Sequence, residues 1–106
     1  MNSEELHAAI AAKPGAKVTL DEMKARISEI KFHKLGPTLT HCALHLDNGF
    51  VVTGESACVS PENYDKAIGE NIAFDNAIDK LWPLFGFLLA ETKWLALNET
   101  PPATAG

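Results

Sequence analysis

The stretch LTHCALHLDNGFVVTGESA, residues 39 to 57, constrains this chain more than any other. Asp-Asn-Gly between two β-type runs is a hairpin signal. Two registers compete. A two-residue Asn48-Gly49 loop pairs Asp47 with Phe50 and scatters the apolar residues over both faces. A three-residue loop with Gly49 in the left-handed conformation pairs Leu46 with Phe50. Cys42, Leu44, Leu46, Phe50, Val52 and Gly54 then share one face. His41, Ala43, His45, Val51, Thr53 and Glu55 share the other. A slip of one residue moves every side chain across the sheet, so the clean segregation selects the three-residue loop.

A hairpin alone is marginal in water and needs another layer. The chain supplies helices for one. Asn2 to Ala12 is expected to be helical, with Asn2 as cap, and to end at Pro14-Gly15. Thr19-Leu20-Asp21-Glu22 is a capping box, and Leu20, Met23, Ile27 and Ile30 follow at helical spacing. Lys31 to Leu35 loosens into a short strand before the Gly36-Pro37 turn. Ser60-Pro61-Glu62 opens the longest helix, expected over 61–82 and again over 84–96, with Pro83 as the kink. Tyr64, Ile68, Ile72, Ile78, Leu81, Trp82, Phe85, Leu88 and Leu89 form its apolar stripe. Gly69 and Gly86 inside it mark close crossings with the sheet or with a second subunit. The fold class expected is α+β. A hairpin or small three-stranded antiparallel sheet lies on a long kinked C-terminal helix, beside two short N-terminal helices. Residues 1–97 form one domain, and 98–106, polar and proline-containing, form a disordered tail.

Composition excludes several classes. A net charge of −5 argues against direct nucleic-acid binding, which needs a concentrated basic surface. The longest apolar stretch is broken by Pro83 and Gly86 and is too short for a membrane span. The N-terminus is acidic rather than basic and then apolar, unlike a signal peptide. Two cysteines in 106 residues do not make a disulfide framework. A cytoplasmic protein is expected.

Gly54-Glu55-Ser56-Ala57-Cys58 resembles a nucleophile elbow, where a strained strand-to-helix turn presents a serine. An esterase triad in that style needs a histidine downstream, and His7, His33, His41 and His45 all lie upstream. No enzymatic activity is expected. Gly54 is instead expected to end or bulge the strand, where a side chain would obstruct close packing, and Cys58 to be a small buried hydrophobe. His41, His45, Cys42 and Cys58 invite a metal reading, but the selected register splits Cys42 from the imidazoles. No metal or cofactor is expected. The polar hairpin face remains, and His41, His45, Thr53 and Glu55 are the candidate ligand-binding residues, a rigid platform of donors and acceptors. Trp82 and Trp94 are expected in the core or in a subunit contact.

The strings Thr40-x-Cys42, Leu46-x-Asn48-Gly49-Phe50, Val52 to Cys58 and Pro61 to Asp65 occur together. They are followed by Gly69 with Ala73, Asn76 to Trp82, and Leu84 to Leu89. This set resembles the small tailed-phage protein family typified by gene 49 of coliphage N-four and gene 66 of Shigella phage Sf-six, over about residues 38–89. The resemblance implies a phage or prophage accessory protein in the bacterial host cytoplasm and brings no catalytic residues. The function expected is non-enzymatic binding, in host takeover or counter-defence. The target is a small molecule such as a nucleotide messenger or, alternatively, a host or defence protein held by inhibition. A homodimer is expected.

Overall fold

A computed structural model describes residue 5 and residues 17–98. The expected helix over 2–12 and the expected tail lie outside the described residues, apart from Glu5 and Asn98. A short helix, α1 (Leu20–Ala25), leads into an antiparallel sheet of β1 (Ile27–Leu35), β2 (Leu39–Leu46) and β3 (Val51–Ala57), in that order. A 3₁₀ turn (Pro61–Asn63) and two helices, α2 (Lys66–Asp79) and α3 (Leu81–Leu97), follow. The class is α+β.

The hairpin adopts the segregating register. Leu44 pairs with Val52, Cys42 with Gly54 and His41 with Glu55. The Leu46 N–H donates to the Phe50 carbonyl at 2.8 Å, and the Gly49 N–H donates back to Leu46 at 3.0 Å. Gly49 has φ +91°, a conformation that costs glycine nothing. Asn48 accepts the Phe50 N–H at 3.0 Å through Oδ1 and fixes the turn. Leu44, Leu46, Val52 and Cys42 are buried on the inner face. Phe50, next to the turn, is exposed instead.

The third strand is longer than expected. The helical pattern Leu20-Met23-Ile27-Ile30 breaks after Ala25, and Ile27 and Ile30 belong to β1. Thr19 caps α1 as expected, accepting the Glu22 N–H at 3.1 Å. Arg26 then clamps the chain to the hairpin turn. Its Nε donates to both Asp47 carboxylate oxygens at 2.8 Å.

The long helix also differs. Ser60-Pro61 starts only the 3₁₀ turn, and α2 begins at Lys66. Asp65 is its cap, accepting the Ile68 N–H at 3.1 Å. The break falls at Lys80 rather than Pro83. A proline ring clashes with the carbonyl four residues earlier. For Pro83 that carbonyl belongs to Asp79, the last residue of α2. Pro83 itself sits in the first turn of α3, where its missing N–H has no partner to lose.

The helix α2 lies across β2 and β3. Its buried face is Gly69, Ala73, Ala77 and Ile78, not the expected Ile68 and Ile72, which are 59% and 45% exposed. Two glycines set this rotation. A Cβ on Gly54 would fall on the Ala77 nitrogen and the Ala73 oxygen and lie 2.8 Å from the Asn76 carbonyl carbon. A Cβ on Gly69 would come 2.6 Å from Thr40 Oγ1. Strand and helix backbones therefore touch, and only glycine and alanine fit between them. Asn76 locks the contact by donating from Nδ2 to the Glu55 carbonyl at 2.8 Å. Met23, Ile78 and Leu81 close one end of the core, with Phe74, Trp82 and Phe85 packed around it.

Candidate functional site

The period of two along each strand and the register across the sheet place every outer side chain. Three rows result. His33, His41 and Glu55 form one, Lys31, Ala43 and Thr53 the next, and Glu29, His45 and Val51 the third. The four predicted residues thus stand on one face, as Thr53 is one residue from both Val52 and Gly54 on the inner side. His41 and Glu55 are direct cross-strand neighbours. His41, His45 and Thr53 are half-buried by their neighbours, and Glu55 is exposed. The helix α2 lies behind this face, and none of the described elements crosses its front.

The third strand brings in groups that hairpin reasoning missed. The β1–β2 turn pairs Leu35 with Leu39, which sets His33 beside His41. Their ring centroids are 6.3 Å apart and tilted by 36°. The signal was present in Gly36-Pro37, since pairing outward from that turn puts residue 33 opposite residue 41. Lys31 and Glu29 extend the face toward the edge, their charged ends 3.9 Å apart. Such an exposed pair adds little stability. Charged side chains on an outer strand do guard it against uncontrolled pairing.

The inner face holds the other candidates. Cys42 is fully buried opposite Gly54. Burial pushes its thiol pKa up, and the Glu70 carboxylate adds to the effect, so the group stays a protonated thiol. Ser56 lies within β3, paired with Thr40. It is not on a turn, and it faces away from all three strand imidazoles. Cys58 is half-buried, and its Sγ donates to the Ser60 carbonyl at 3.3 Å. Among the described residues no group of three or more His, Cys, Asp or Glu can hold a metal ion.

Concave surface occurs elsewhere. A cleft of ≈ 390 Å³ separates α1 from α3, lined by Val18, Ala25, Arg26, Phe85, Leu88 and Leu89. A smaller one of ≈ 110 Å³ lies at the far end of the sheet, beside Thr40, Ser56, Cys58 and Tyr64. Neither is lined by His41, His45, Thr53 or Glu55. No described helix is long and apolar enough to cross a membrane.

No curated protein and no solved structure matches the chain. A family model does, over residues 18–93. That span takes in α1 and β1 as well as the hairpin and α2, so the match covers the whole sheet and its helical layer. The chain belongs to the Phage protein (N4 Gp49/phage Sf6 gene 66) family.

Proposed function

We propose that this phage accessory protein is a non-enzymatic binding protein of the host cytoplasm. In this reading it acts in host takeover or counter-defence and inhibits a host or defence protein that docks on the outer sheet face. The observation that supports it is the open three-by-three platform of His33, His41 and Glu55, Lys31, Ala43 and Thr53, and Glu29, His45 and Val51. Small-molecule sites are concave and bury most of their ligand. Protein interfaces are broad and of mixed polarity, with some 20 to 30 residues a side. An uncovered sheet face with a central alanine, a flanking valine and rims of imidazole and carboxylate fits the second description.

A second reading keeps the same residues. His41, His45 and Thr53 offer donors and acceptors on one rigid surface, which suits phosphate and base edges of a nucleotide messenger. Such a ligand needs a second wall, and none of the described elements supplies one in front of this face.

Affinity capture from bacterial lysate, with protein and small-molecule mass spectrometry, separates the two readings. Inhibition of a protein predicts one stoichiometric polypeptide, lost from Val51→Glu and from His41→Asp. Sequestration predicts a nucleotide in the eluate and a rise in melting temperature when it is added back. If neither the captured molecules nor the melting temperature respond to either substitution, the outer face is not the site.

A further inference from the structure

The helix α3 is apolar on almost every side. Leu81, Phe85 and Leu89 turn toward the body. The opposite side carries Phe87, Ala90, Trp94 and Leu97, at spacings of three, four and three. That is the spacing of a coiled-coil seam. Phe87 is 69% exposed, Trp94 56% and Leu97 85%, and Leu84 and Leu95 beside them are about half exposed. A helix that is hydrophobic all round belongs in an interior.

Four occupants are conceivable, and three fit poorly. Residues 99–106 contain no large apolar side chain. Residues 1–16 hold three, Met1, Leu6 and Ile10. Three apolar side chains are too few to cover the six that α3 exposes. A lipid surface is met by helices with a basic polar face, whereas α3 carries one lysine, Lys93, and one glutamate, Glu91. A second copy fits best. The helix is neutral, while the chain as a whole carries −5, so two copies repel least along this element. Antiparallel pairing keeps the two acidic bodies at opposite ends. It also sets Phe87 opposite Leu97, and the small Ala90 opposite the large Trp94. The five exposed side chains outside the cleft offer on the order of 600 Å² per copy, of the same order as the roughly 800 Å² per partner of a standard stable interface.

We propose that α3 is the homodimer contact, with a second copy of this chain paired along Phe87, Ala90, Trp94 and Leu97. This goes beyond the binding role of the sheet and holds whatever that face binds.

Sedimentation equilibrium of the full chain tests it. The expected mass is twice the 11.4 kDa of one chain. Phe87→Glu and Trp94→Glu should each raise the dissociation constant at least about 100-fold, as charged substitutions at a packed interface centre do. Far-UV circular dichroism should not change, because Phe87 and Trp94 are largely exposed rather than part of the described core. Val51→Glu, on the outer sheet face, should leave the dimer intact. A mass of 11.4 kDa overturns the proposal if it persists at about 100 μM, well above the dissociation constant an interface of this size supports. A dimer that both glutamate substitutions leave unchanged, or one that Val51→Glu dissociates, overturns it as well.

Discussion

Two consecutive helices, joined only by Lys80, meet opposite fates. In α2 the residues that reach the core are Gly69, Ala73, Ala77 and Ile78. In α3 the side chains are mostly Leu, Phe and Trp, yet only Leu81 is fully buried. Greasiness therefore does not decide which helix is covered. Shape does. Gly54 on β3 removes the side chain that would hold a helix at the usual distance, and the small residues of α2 accept the resulting contact. Close packing gains dispersion energy over many short contacts. The larger side chains of α3 cannot enter that gap and are left for a surface outside the protomer.

The sharpest way to break this contrast is Gly54→Ala. The added methyl meets backbone atoms of Ala73, Asn76 and Ala77, and backbone cannot rotate aside. The helix must lift off β3. A loss of about 3 kcal/mol or more is expected, at the upper end for overpacking, read as the drop in urea midpoint with the slope unchanged. A loss below about 1 kcal/mol, the size of an ordinary surface effect, would mean that the glycine contact does not set the position of α2.

Next in size is a matched pair. Leu81→Ala empties a fully buried site and should cost about 3 kcal/mol. Ile68→Ala removes a comparable volume from a side chain 59% exposed and should cost less than about 1 kcal/mol. Equal losses at the two positions in urea titrations would restore the apolar stripe that hydropathy alone suggests.

That stripe shows where sequence reasoning stops. The hairpin was legible because alternation and turn chemistry agree, and the register followed from burying one face. The four outer residues were legible for the same reason. The edge strand β1 was hidden by a bulge. The pairing shifts between Ile27 and Glu29, which puts Ile27 and Ile30 on one face although they are three residues apart, and that spacing imitates a helix. The buried face of α2 was hidden because Gly and Ala carry little hydropathic signal. Gly54 opposite them was legible as a place where a side chain obstructs packing, but it neither ends nor bulges β3, which runs through it in unbroken register. The break at Lys80 was displaced from its cause, since Pro83 acts on the carbonyl four residues back. His33 was missed because its place on the platform depends on the strand the bulge concealed.

Gly69→Ala tests the α2 contact more gently. Alanine gains about 1 kcal/mol over glycine within a helix. Here its methyl would sit 2.6 Å from Thr40 Oγ1, a buried hydroxyl 3.4 Å from Tyr64 Oη. The side chain can give a little, so the expected net loss is only about 1 kcal/mol. Thr40→Ser beside it should recover part of that loss, because a hydroxyl freed of the β-branch can turn away from the new methyl. If Gly69→Ala is stabilising, the helix rides higher over β2 than the glycine implies.

Gly86→Ala, in α3, should do the reverse, and it is the smallest effect of the series. Nothing among the described residues lies within 4 Å of a Cβ at this position. Its backbone is helical and needs no positive φ. Alanine then gains helix propensity and restricts the unfolded chain, for about 0.5–1 kcal/mol of added stability. Thermal melts at several protein concentrations read this cleanly, since a dimer contact makes the midpoint concentration-dependent. A gain that is the same at every concentration keeps Gly86 outside any contact and leaves the difference between the helices as drawn. A loss that grows with concentration would put another backbone against Gly86 in the assembled state. The two helices would then be alike after all, each using a glycine to admit a close neighbour, α2 within the chain and α3 between chains.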